Sequence, residues 1–479
     1  GYDLQVFCPL VSLGNPYEEY VNQDLNILNL INFDLVEGVV VATRSFIINN
    51  GNTILNKVEK LIKKKCKKPV VCIDLEMGGY DTVHLNKAVP FKDIAAHIFG
   101  KKKCKNAIFL TGTSDNEKTN VAYKAIISAA KTYGVSKEKI KIEYGDFWYT
   151  GGKKLAESII EKKIKLPDAV ICENDYMALG LENQLSRNGI KCPEDVLITG
   201  YEATQDAFLN DVTITSYVPL EERMAMEAVN LLVSKISPNT RILRPKPHHE
   251  EGLIEAGSTN SPLADVKVYK NAVKDWIYKV NRSEEEWQAR EFFDIGRLME
   301  SYMFEDLTEK NSPLDCLYRI FINGYLLEPF SAVYLNLCPD WLDTTVVRSQ
   351  GYPSKMLYAI DKISQKHPDY VSGRNSYTLD KDHTFSTKRL LPAMEKDWKK
   401  PQVYYFISLH FASNTLGYSV LQFDCDRLLS PTAMHRNWYR NVQNALEMIR
   451  TKNRLYSQSL VDGLTGVYNR NKFKDLCTD

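Results

Sequence analysis

The sequence lacks the features that several classes of protein require. No apolar stretch reaches the roughly 18 residues that a membrane-spanning helix needs. The ten cysteines are scattered along the chain and form no C-x-x-C pair, which argues against a disulfide framework and against a zinc site. The 61 basic residues are balanced by 60 acidic ones, so no charge excess favours binding to nucleic acid through its phosphates. These absences predict a cytoplasmic protein without membrane or nucleic-acid partners.

The composition is that of an ordinary globular protein. The chain has 479 residues, of which 44% are hydrophobic and 25% charged, and this length favours two or three domains. It begins with Gly1 rather than Met, so we expect a fragment of a longer protein. His367, His383 and His410 are isolated, and His248-His249-Glu250-Glu251 offers ligand types on one extended stretch, where neighbouring side chains point to opposite faces, so no metal site is predicted.

Apolar runs bounded by polar residues or glycine recur along the first 255 residues. They lie at Val36–Ala42, Pro69–Asp74, Ala107–Thr111, Ala169–Cys172 and Val196–Thr199. Helical patterns separate these runs, and strands that are buried on both faces of a parallel sheet have this composition. The alternation predicts an α/β fold, in which ligands bind beyond the carboxyl ends of the strands.

The predicted strand ends carry side chains that suit a polyhydroxylated ligand. Amides can donate and accept hydrogen bonds, carboxylates accept them from hydroxyls, and an aromatic ring can cover the apolar face of a sugar. Such groups follow the predicted strands in Gly145–Tyr149, Glu173–Asp175 and Tyr201–Glu202. Asp115 and Asp175 could instead cap helices, and the sequence leaves that alternative open.

Two segments resemble the ligand-binding core of the lac-repressor-type periplasmic-binding-protein family. They are P-D-A-V-I-C-E-N-D-Y-M-A-L-G at Pro167–Gly180 and P-E-D-V-L-I-T-G-Y-E at Pro193–Glu202. The resemblance implies a two-lobed domain over residues 1–257 that closes on a small ligand such as a sugar, and that lacks the family's first strand and helix. It also implies ligand-binding positions at Asn86, Asn120, Phe147, Asn174, Asp175 and Glu202. Two of these depart from the family's pattern, because Asn120 stands where an Arg is frequent and Glu202 where an Asp is usual.

The region 258–432 is predicted to be a separate α+β domain. Small and polar residues at Ala256–Leu263 suggest a linker. Strand patterns follow at Ser331–Leu337, Val403–Leu409 and Gly417–Phe423, and the last two form a hairpin. Their order is weakly similar to GAF-type domains, with a PAS-like or novel α+β module as the alternative.

Residues 433–460 contain neither proline nor glycine and are predicted to form one long helix. Apolar residues recur in it at alternating spacings of four and three, with Lys452 as a polar layer. The spacing predicts a coiled-coil seam through which two chains pair. The alternative is a helix that packs on its own domain. The seam residues are Trp438, Val442, Ala445, Ile449 and Tyr456.

The segment D-G-L-T-G-V-Y-N-R at Asp462–Arg470 resembles the start of GGDEF-type diguanylate cyclase domains. The resemblance rests on Asp462, Leu464, Thr465, Asn469 and Arg470, and it assigns residues 461–479 to a truncated domain of that family. Mg²⁺ and GTP are expected for the catalytic part that this chain lacks. The chain carries no catalytic motif of its own, so we expect no catalytic residues and no cofactor within it.

Together these patterns predict the sensory region of a cytoplasmic diguanylate cyclase, which binds a small molecule and signals through a dimeric helix to an output domain that makes cyclic di-GMP. The alternative is a ligand-responsive transcription regulator or a non-catalytic signalling scaffold.

Overall fold

A computed structural model describes residues 2–9, 18–46, 53–84, 87–112, 117–219, 221–238, 252–261, 303, 312–327, 330–365, 375–396, 400–424, 433–460 and 467. The strands are β1 (Leu4–Phe7), β2 (Val39–Ala42), β3 (Val70–Ile73), β4 (Asp81–Val83), β5 (Ala107–Thr111), β6 (Ile140–Tyr144), β7 (Ala169–Cys172), β8 (Leu197–Tyr201), β9 (Thr215–Val218), β10 (Gly252–Ile254), β11 (Ala332–Leu337), β12 (Lys355–Ile363), β13 (Ser376–Tyr377), β14 (Thr384–Ser386), β15 (Gln402–Phe411) and β16 (Asn414–Asp424). The helices are α1 (Glu18–Leu25), α2 (Thr53–Lys65), α3 (Ala88–Ala95), α4 (Glu117–Thr132), α5 (Tyr149–Ile160), α6 (Asp175–Arg187), α7 (Gln205–Leu209), α8 (Glu221–Ile236), α9 (Pro313–Asn323) and α10 (Ala433–Ser459).

The chain divides into two units. The first, called here the α/β unit, comprises Val36–Arg282, and the second, the α+β unit, combines residues 1–35 with residues 283–479.

The α/β unit contains two sheets. In the smaller sheet β2, β3 and β4 are parallel neighbours. The larger sheet has the order β10-β9-β8-β7-β5-β6, in which β10 is antiparallel to β9 and the other pairs are parallel. The predicted apolar runs therefore form parallel strands, and the two sheets confirm the α/β part of the fold prediction.

The larger sheet is buried on both faces, because helices cover each of them. On one face, Phe109 and Ile171 pack with side chains from α3 and α4, such as Phe91 and Ile126. On the other face, the alternate residues of the same strands pack with α5 and α6. Alternation of side chains along each strand explains why these strands are apolar without interruption.

The α+β unit is built on a mostly antiparallel sheet of order β1-β15-β16-β11-β12-β13, with β14 paired to β12. The predicted strands at 331–337, 403–409 and 417–423 correspond to β11, β15 and β16. The hairpin between β15 and β16 is tighter than predicted, since its strands extend to Phe411 and from Asn414. The likeness to GAF or PAS domains stays a prediction.

The N-terminal residues lie in a different unit from the one that the sequence predicts. We expected them to begin the ligand-binding domain at 1–257, but β1 pairs in parallel with Val403–Phe406 of β15. Phe7 stacks on Phe406 with ring centroids 4.7 Å apart, and Asn26 donates to the hydroxyl of Thr415 at 2.8 Å. A short strand pattern predicts that a strand forms, but it does not specify the sheet edge that it joins.

The predicted dimer seam is largely buried within its own unit. Trp438, Val442, Ala445 and Ile449 are at most 3% exposed, whereas Tyr456 is 56% exposed. The indole of Trp438 donates to the carbonyl of Asn323 in α9 at 3.2 Å. The 4-3 spacing over these first four residues thus matches the alternative, because a helix that covers a sheet with one face has the same apolar period as a coiled coil.

No helix within the described ranges combines the length and the apolarity that a membrane span requires. Asn86 and the opening motif of the GGDEF-type domain, Asp462, Leu464, Thr465, Asn469 and Arg470, lie outside the described residues.

Candidate functional site

The candidate site lies in the α/β unit, where strands of both sheets end. In the larger sheet the chain leaves β5 at Gly112, β7 at Glu173 and β8 at Glu202. Since these strands are parallel, their carboxyl ends meet at one edge.

Glu173 is a deeply buried charge at this edge, with 1% of its surface exposed. Its carboxylate accepts hydrogen bonds from the ammonium of Lys87 at 2.8 Å, from the amide of Gly112 at 3.1 Å, and from the hydroxyl of Thr111. Burial alone would raise the pKa of Glu173, but the cation and these donors outweigh burial and hold the pKa below its ordinary value. Glu173 is therefore a fixed negative charge.

Lys87 contacts both this carboxylate and the aromatic ring of Tyr201. The residue immediately precedes α3, and 13% of its side chain is exposed. Its ammonium lies 5.4 Å from the ring centroid of Tyr201, within the range of a cation–π interaction. Lys87 and Glu173 form an ion pair that is almost fully removed from water. The sequence places Glu173 among the polar groups that follow the predicted strands, but no pattern in it points to Lys87.

A second pair of opposite charges follows the strands of the smaller sheet. Arg44 comes shortly after β2 and Asp74 directly after β3, and the two side chains form an ion pair. Burial lowers the pKa of Arg44, while the negative charge of Glu173 acts against that shift. The side chain of Arg44 is 43% exposed, so this pair is closer to water than the pair of Lys87 and Glu173. We call Arg44, Asp74, Lys87 and Glu173 the charge cluster.

Asn174 is positioned by the start of α6. Its side-chain oxygen accepts from the amide of Met177 at 3.0 Å and thereby caps the helix, while its amide nitrogen donates to the carbonyl of Phe147 at 2.7 Å. Helix capping was the alternative role predicted for Asp175. The cap of α6 is instead made by Asn174.

Phe147 is held against the end of β5. Its backbone is left-handed, with φ of 64°, and a Cβ built at Gly112 would lie 1.9 Å from the ring. Only glycine at position 112 leaves room for this ring.

Asp175 is enclosed by protein donors. It is fully buried, and it accepts from the hydroxyl of Ser216 at 2.6 Å and from the amide and the hydroxyl of Thr204 at 2.7 and 3.0 Å. Burial raises the pKa of Asp175 to about 6, although these hydrogen bonds act in the opposite direction. Its contacts are those of a residue that fixes the turn after β8, and direct contact with a ligand stays a prediction.

Glu202 lies in the same turn after β8. This half-buried residue has a φ of 108°, and Ala203 after it has a φ of 48°. The amide of Glu202 donates to the carbonyl of Tyr217 at 3.1 Å. Asn120 lies on α4, but its side chain is not among those described. The structure therefore brings Phe147, Asn174, Asp175 and Glu202 to one sheet edge.

The charge cluster and the neighbouring amides form an array of alternating donors and acceptors. Such an array can hold a small polar molecule, since each charge is already oriented by a protein partner. Across the described part of the chain, no three His, Cys, Asp or Glu side chains are grouped as metal ligands.

Comparison with known proteins agrees with this architecture. Residues 96–259 match the family described as "Periplasmic binding protein-like domain". This stretch is similar to that family over about a third of the chain. It runs from the end of α3 through the larger sheet, so the resemblance seen in the motifs at Pro167–Gly180 and Pro193–Glu202 is confirmed for that lobe.

The curated relatives are repressors. The chain is 24% identical over 199 residues to the HTH-type transcriptional repressor PurR of Aliivibrio salmonicida, a match that covers 40% of this chain and 56% of that protein. It is 24% identical over 155 residues to the HTH-type transcriptional repressor CytR of Escherichia coli, covering 32% of this chain and 45% of the relative. The chain thus spans about half the length of these relatives.

Among solved structures, a LacI family transcriptional regulator from Enterococcus faecium with bound ribose is similar at 18% identity and a TM-score of 0.37. That match covers 47% of this chain and 80% of the other. The transcription regulator CcpA of Lactococcus lactis is similar at 17% identity and a TM-score of 0.37, covering 47% and 79%.

Proposed function

We propose that this protein is a ligand-responsive regulator whose α/β unit binds a small polar molecule, such as a sugar, in the cytoplasm. The observation that carries the proposal is the charge cluster, which gathers two ion pairs at strand ends of the α/β unit, with Glu173 inside the stretch that matches the periplasmic-binding-protein-like family. The pair of Lys87 and Glu173 is buried, and buried charges are costly to keep, so such a pair at a strand end is a candidate for a functional site.

The names of the relatives favour transcription regulation over diguanylate cyclase activity as the output. PurR and CytR are transcriptional repressors by name, which supports the transcription regulator that the sequence analysis gave as the alternative to a cyclase. In this proposal ligand binding changes the population of a closed state, and differential affinity for that state drives the response.

A thermal-shift screen of the purified chain against monosaccharides, sugar phosphates and nucleosides tests the ligand-binding step. A ligand at about 100 times its Kd should stabilise the protein by about 2.7 kcal/mol. We expect Glu173→Gln and Phe147→Ala to abolish the shift, whereas Glu161→Gln, at an exposed position, leaves it unchanged. A shift that survives both site variants, or no shift with any compound, would argue against the proposal.

A second candidate function is diguanylate cyclase output. It is supported by the nine-residue segment Asp462–Arg470, with GTP as substrate and Mg²⁺ as its partner. The test is to incubate the protein, as its gene encodes it, with GTP and Mg²⁺, and to measure cyclic di-GMP by mass spectrometry. Product formation that responds to the ligand found above supports this candidate, and its absence favours the transcription regulator.

A further inference from the structure

Helix α2 and the residues directly after it carry a local excess of positive charge. Residues 53–68 contain seven lysines and one acidic residue, Glu59, and all seven lysines are exposed. The segment has a formal charge of +6, whereas the whole chain has +1, so the rest of the chain carries −5. The near balance of charge over the whole chain therefore conceals a strongly basic surface.

The lysines of α2 lie on the side of the helix opposite its buried face. The buried side chains are Ile54, Leu55, Val58 and Ile62. Lys57, Lys60 and Lys64 recur at spacings of three and four, which places them together, roughly 180° around the helix from those apolar side chains. Lys63 lies beside them. We call Lys57, Lys60, Lys63 and Lys64 the lysine face.

The protein neutralises little of this charge. Lys63 pairs with Glu59 at 2.6 Å, one turn away on the same helix. In the part of the chain that the structure describes, no carboxylate forms an ion pair with Lys60 or Lys64. The dipole of the helix favours cations in its last turn, which accounts for Lys63 and Lys64 but not for Lys60. Lysines three and four residues apart repel one another, and an external anion would relieve that repulsion.

A second run of lysines, at residues 101–105, provides a contrast within the same unit. The ammonium of Lys101 pairs with Glu255 at 2.6 Å, and that of Lys102 donates to the carbonyl of Asn260 at 3.0 Å. These two cations are held by groups of their own unit. The lysine face, by contrast, leaves most of its charge in contact with solvent.

We propose that the lysine face binds the anionic surface of a phospholipid membrane. Clusters of about four to eight basic residues on an amphipathic helix are typical of such binding, and each lysine adds to the attraction. Because the apolar face of α2 is already buried in its own unit, the contact is electrostatic and requires no insertion into the bilayer. This binding does not depend on the proposed ligand.

The composition of the segment favours lipid over nucleic acid as the anion. Residues 53–68 contain no arginine and no aromatic residue. Arginine holds phosphates in a fixed geometry through its planar fork, and aromatic rings stack on exposed bases. Lysine is a flexible point charge, and mobile lipid headgroups can rearrange to meet it.

Flotation of the full chain with lipid vesicles tests the proposal. The wild-type protein should bind vesicles of phosphatidylcholine that contain phosphatidylserine, and it should not bind pure phosphatidylcholine. Binding should be lost as the salt concentration rises from about 0.1 M to about 1 M, because salt screens the attraction. No binding to the anionic vesicles at low salt, or equal binding to both kinds of vesicle, would overturn the proposal.

Substitution of three lysines tests whether α2 is the surface that binds. The triple variant Lys57→Gln, Lys60→Gln, Lys64→Gln should weaken vesicle binding by about 100-fold, which is about fivefold for each lysine removed. The matched control changes three exposed lysines elsewhere in the same unit to Gln, namely Lys137, Lys139 and Lys141. The control loses the same charge but should bind as the wild type does. Equal weakening by the two triple variants would contradict the assignment to α2.

The corresponding change to arginine separates charge from helix structure. The variant Lys57→Arg, Lys60→Arg, Lys64→Arg keeps the charge and should bind the vesicles as the wild type does. Gln and Arg are both good helix formers, and circular dichroism confirms that each variant is folded. A folded arginine variant that no longer binds would contradict an electrostatic contact.

Duplex DNA is the competing polyanion in the same experiment. When it is added at the same phosphate concentration as the lipid, it should leave the protein on the vesicles. DNA that displaces the protein would overturn the choice of lipid as the partner of the lysine face.

Discussion

Each unit of this chain contains a buried group of polar side chains, and the two groups are built differently. The α/β unit collects charged groups at strand ends, where Lys87 and Glu173 meet at 2.8 Å. The α+β unit instead places a chain of hydrogen bonds inside its sheet. In that chain the phenol of Tyr334 donates to Gln422 at 2.7 Å, and Gln422 donates to Gln402 at 2.7 Å.

We interpret this difference as that between a proposed binding site and a structural network. A buried ion pair adds little net stability compared with apolar packing, and the proposed function gives the pair of Lys87 and Glu173 a role in ligand binding instead. A hydrogen-bonded network within a sheet specifies which strands pair and in which register. The following predictions, ordered from the largest effect to the smallest, test whether this distinction holds.

The largest effect is expected in the core of the α+β unit. Trp438→Ala should lower the free energy of unfolding by about 3–5 kcal/mol, because it leaves a cavity beneath α10. Tyr456→Ala, at the exposed end of the same helix, should change it by less than about 0.5 kcal/mol. Urea denaturation at two protein concentrations measures both. A Trp438 variant that loses stability only through loss of a dimer would support the coiled-coil seam instead.

Breaking the buried ion pair should have an effect of similar size in the α/β unit. Lys87→Met leaves the charge of Glu173 buried without its cation and should cost about 3–5 kcal/mol. Adding Glu173→Gln should restore most of that loss, since the remaining groups are neutral. Lys101→Met removes a solvent-exposed pair with Glu255 and should cost less than about 1 kcal/mol. If Lys87→Met costs no more than this control, the pair is not isolated from water.

Each residue of the hydrogen-bond network inside the α+β sheet should contribute less to the free energy of unfolding than the buried ion pair does. Gln422→Ala removes the partner of both Tyr334 and Gln402 and should cost about 1–3 kcal/mol through groups left without hydrogen bonds. Gln458→Ala, at an exposed position on α10, is the control and should change stability by less than about 0.5 kcal/mol. Denaturant unfolding compares the two. A loss as large as that of Lys87→Met would remove the contrast between the units.

The smallest effect is a dependence on pH. Because burial raises the pKa of Asp175 to about 6, the folded chain binds this proton more tightly than the unfolded chain does. Its contribution to stability should fall as the pH rises from about 4 to about 6, and Asp175→Asn should remove that fall. The contribution of Glu173 to stability should change in the opposite direction, because the pKa of Glu173 is lowered. That contribution should be lost as the pH falls. Unfolding free energies of the wild type, Asp175→Asn and Glu173→Gln, measured from about pH 6 down to below the ordinary glutamate pKa of about 4.3, give the two slopes, and slopes of equal sign would contradict the assignment.

Much of the α/β unit could be predicted because its strands are fully buried. The runs at Ala107–Thr111 and Ala169–Cys172 appear as β5 and β7 with unchanged bounds. The motif around Asn174 also predicted which strand ends would meet. Glu173 was predicted only as one of the polar groups after a strand, and its ion pair was missed because its partner Lys87 lies 86 residues away in the sequence.

The α+β unit was harder to predict, since its strands do not form continuous apolar runs. Strand β12 has the sequence K-M-L-Y-A-I-D-K-I and lies in a region that the sequence analysis left unassigned. Half-buried residues such as Asp361 interrupt its pattern, and only pairing with β11 shows that it is a strand. The role of Trp438 was likewise ambiguous, because apolar residues recur at the same spacing in a coiled-coil seam and on the buried face of a single helix.

By itself the sequence determined the α/β character of residues 36–261 and the convergence of polar side chains at one edge of its larger sheet. Periodicity and local motifs carry that information, since both depend on neighbours along the chain. The tertiary structure alone decided that Asp175 is enclosed, that Lys87 pairs with Glu173, and that residues 4–7 join β15. Each of these depends on contacts between residues far apart in sequence, and the free energy of such contacts leaves no local pattern.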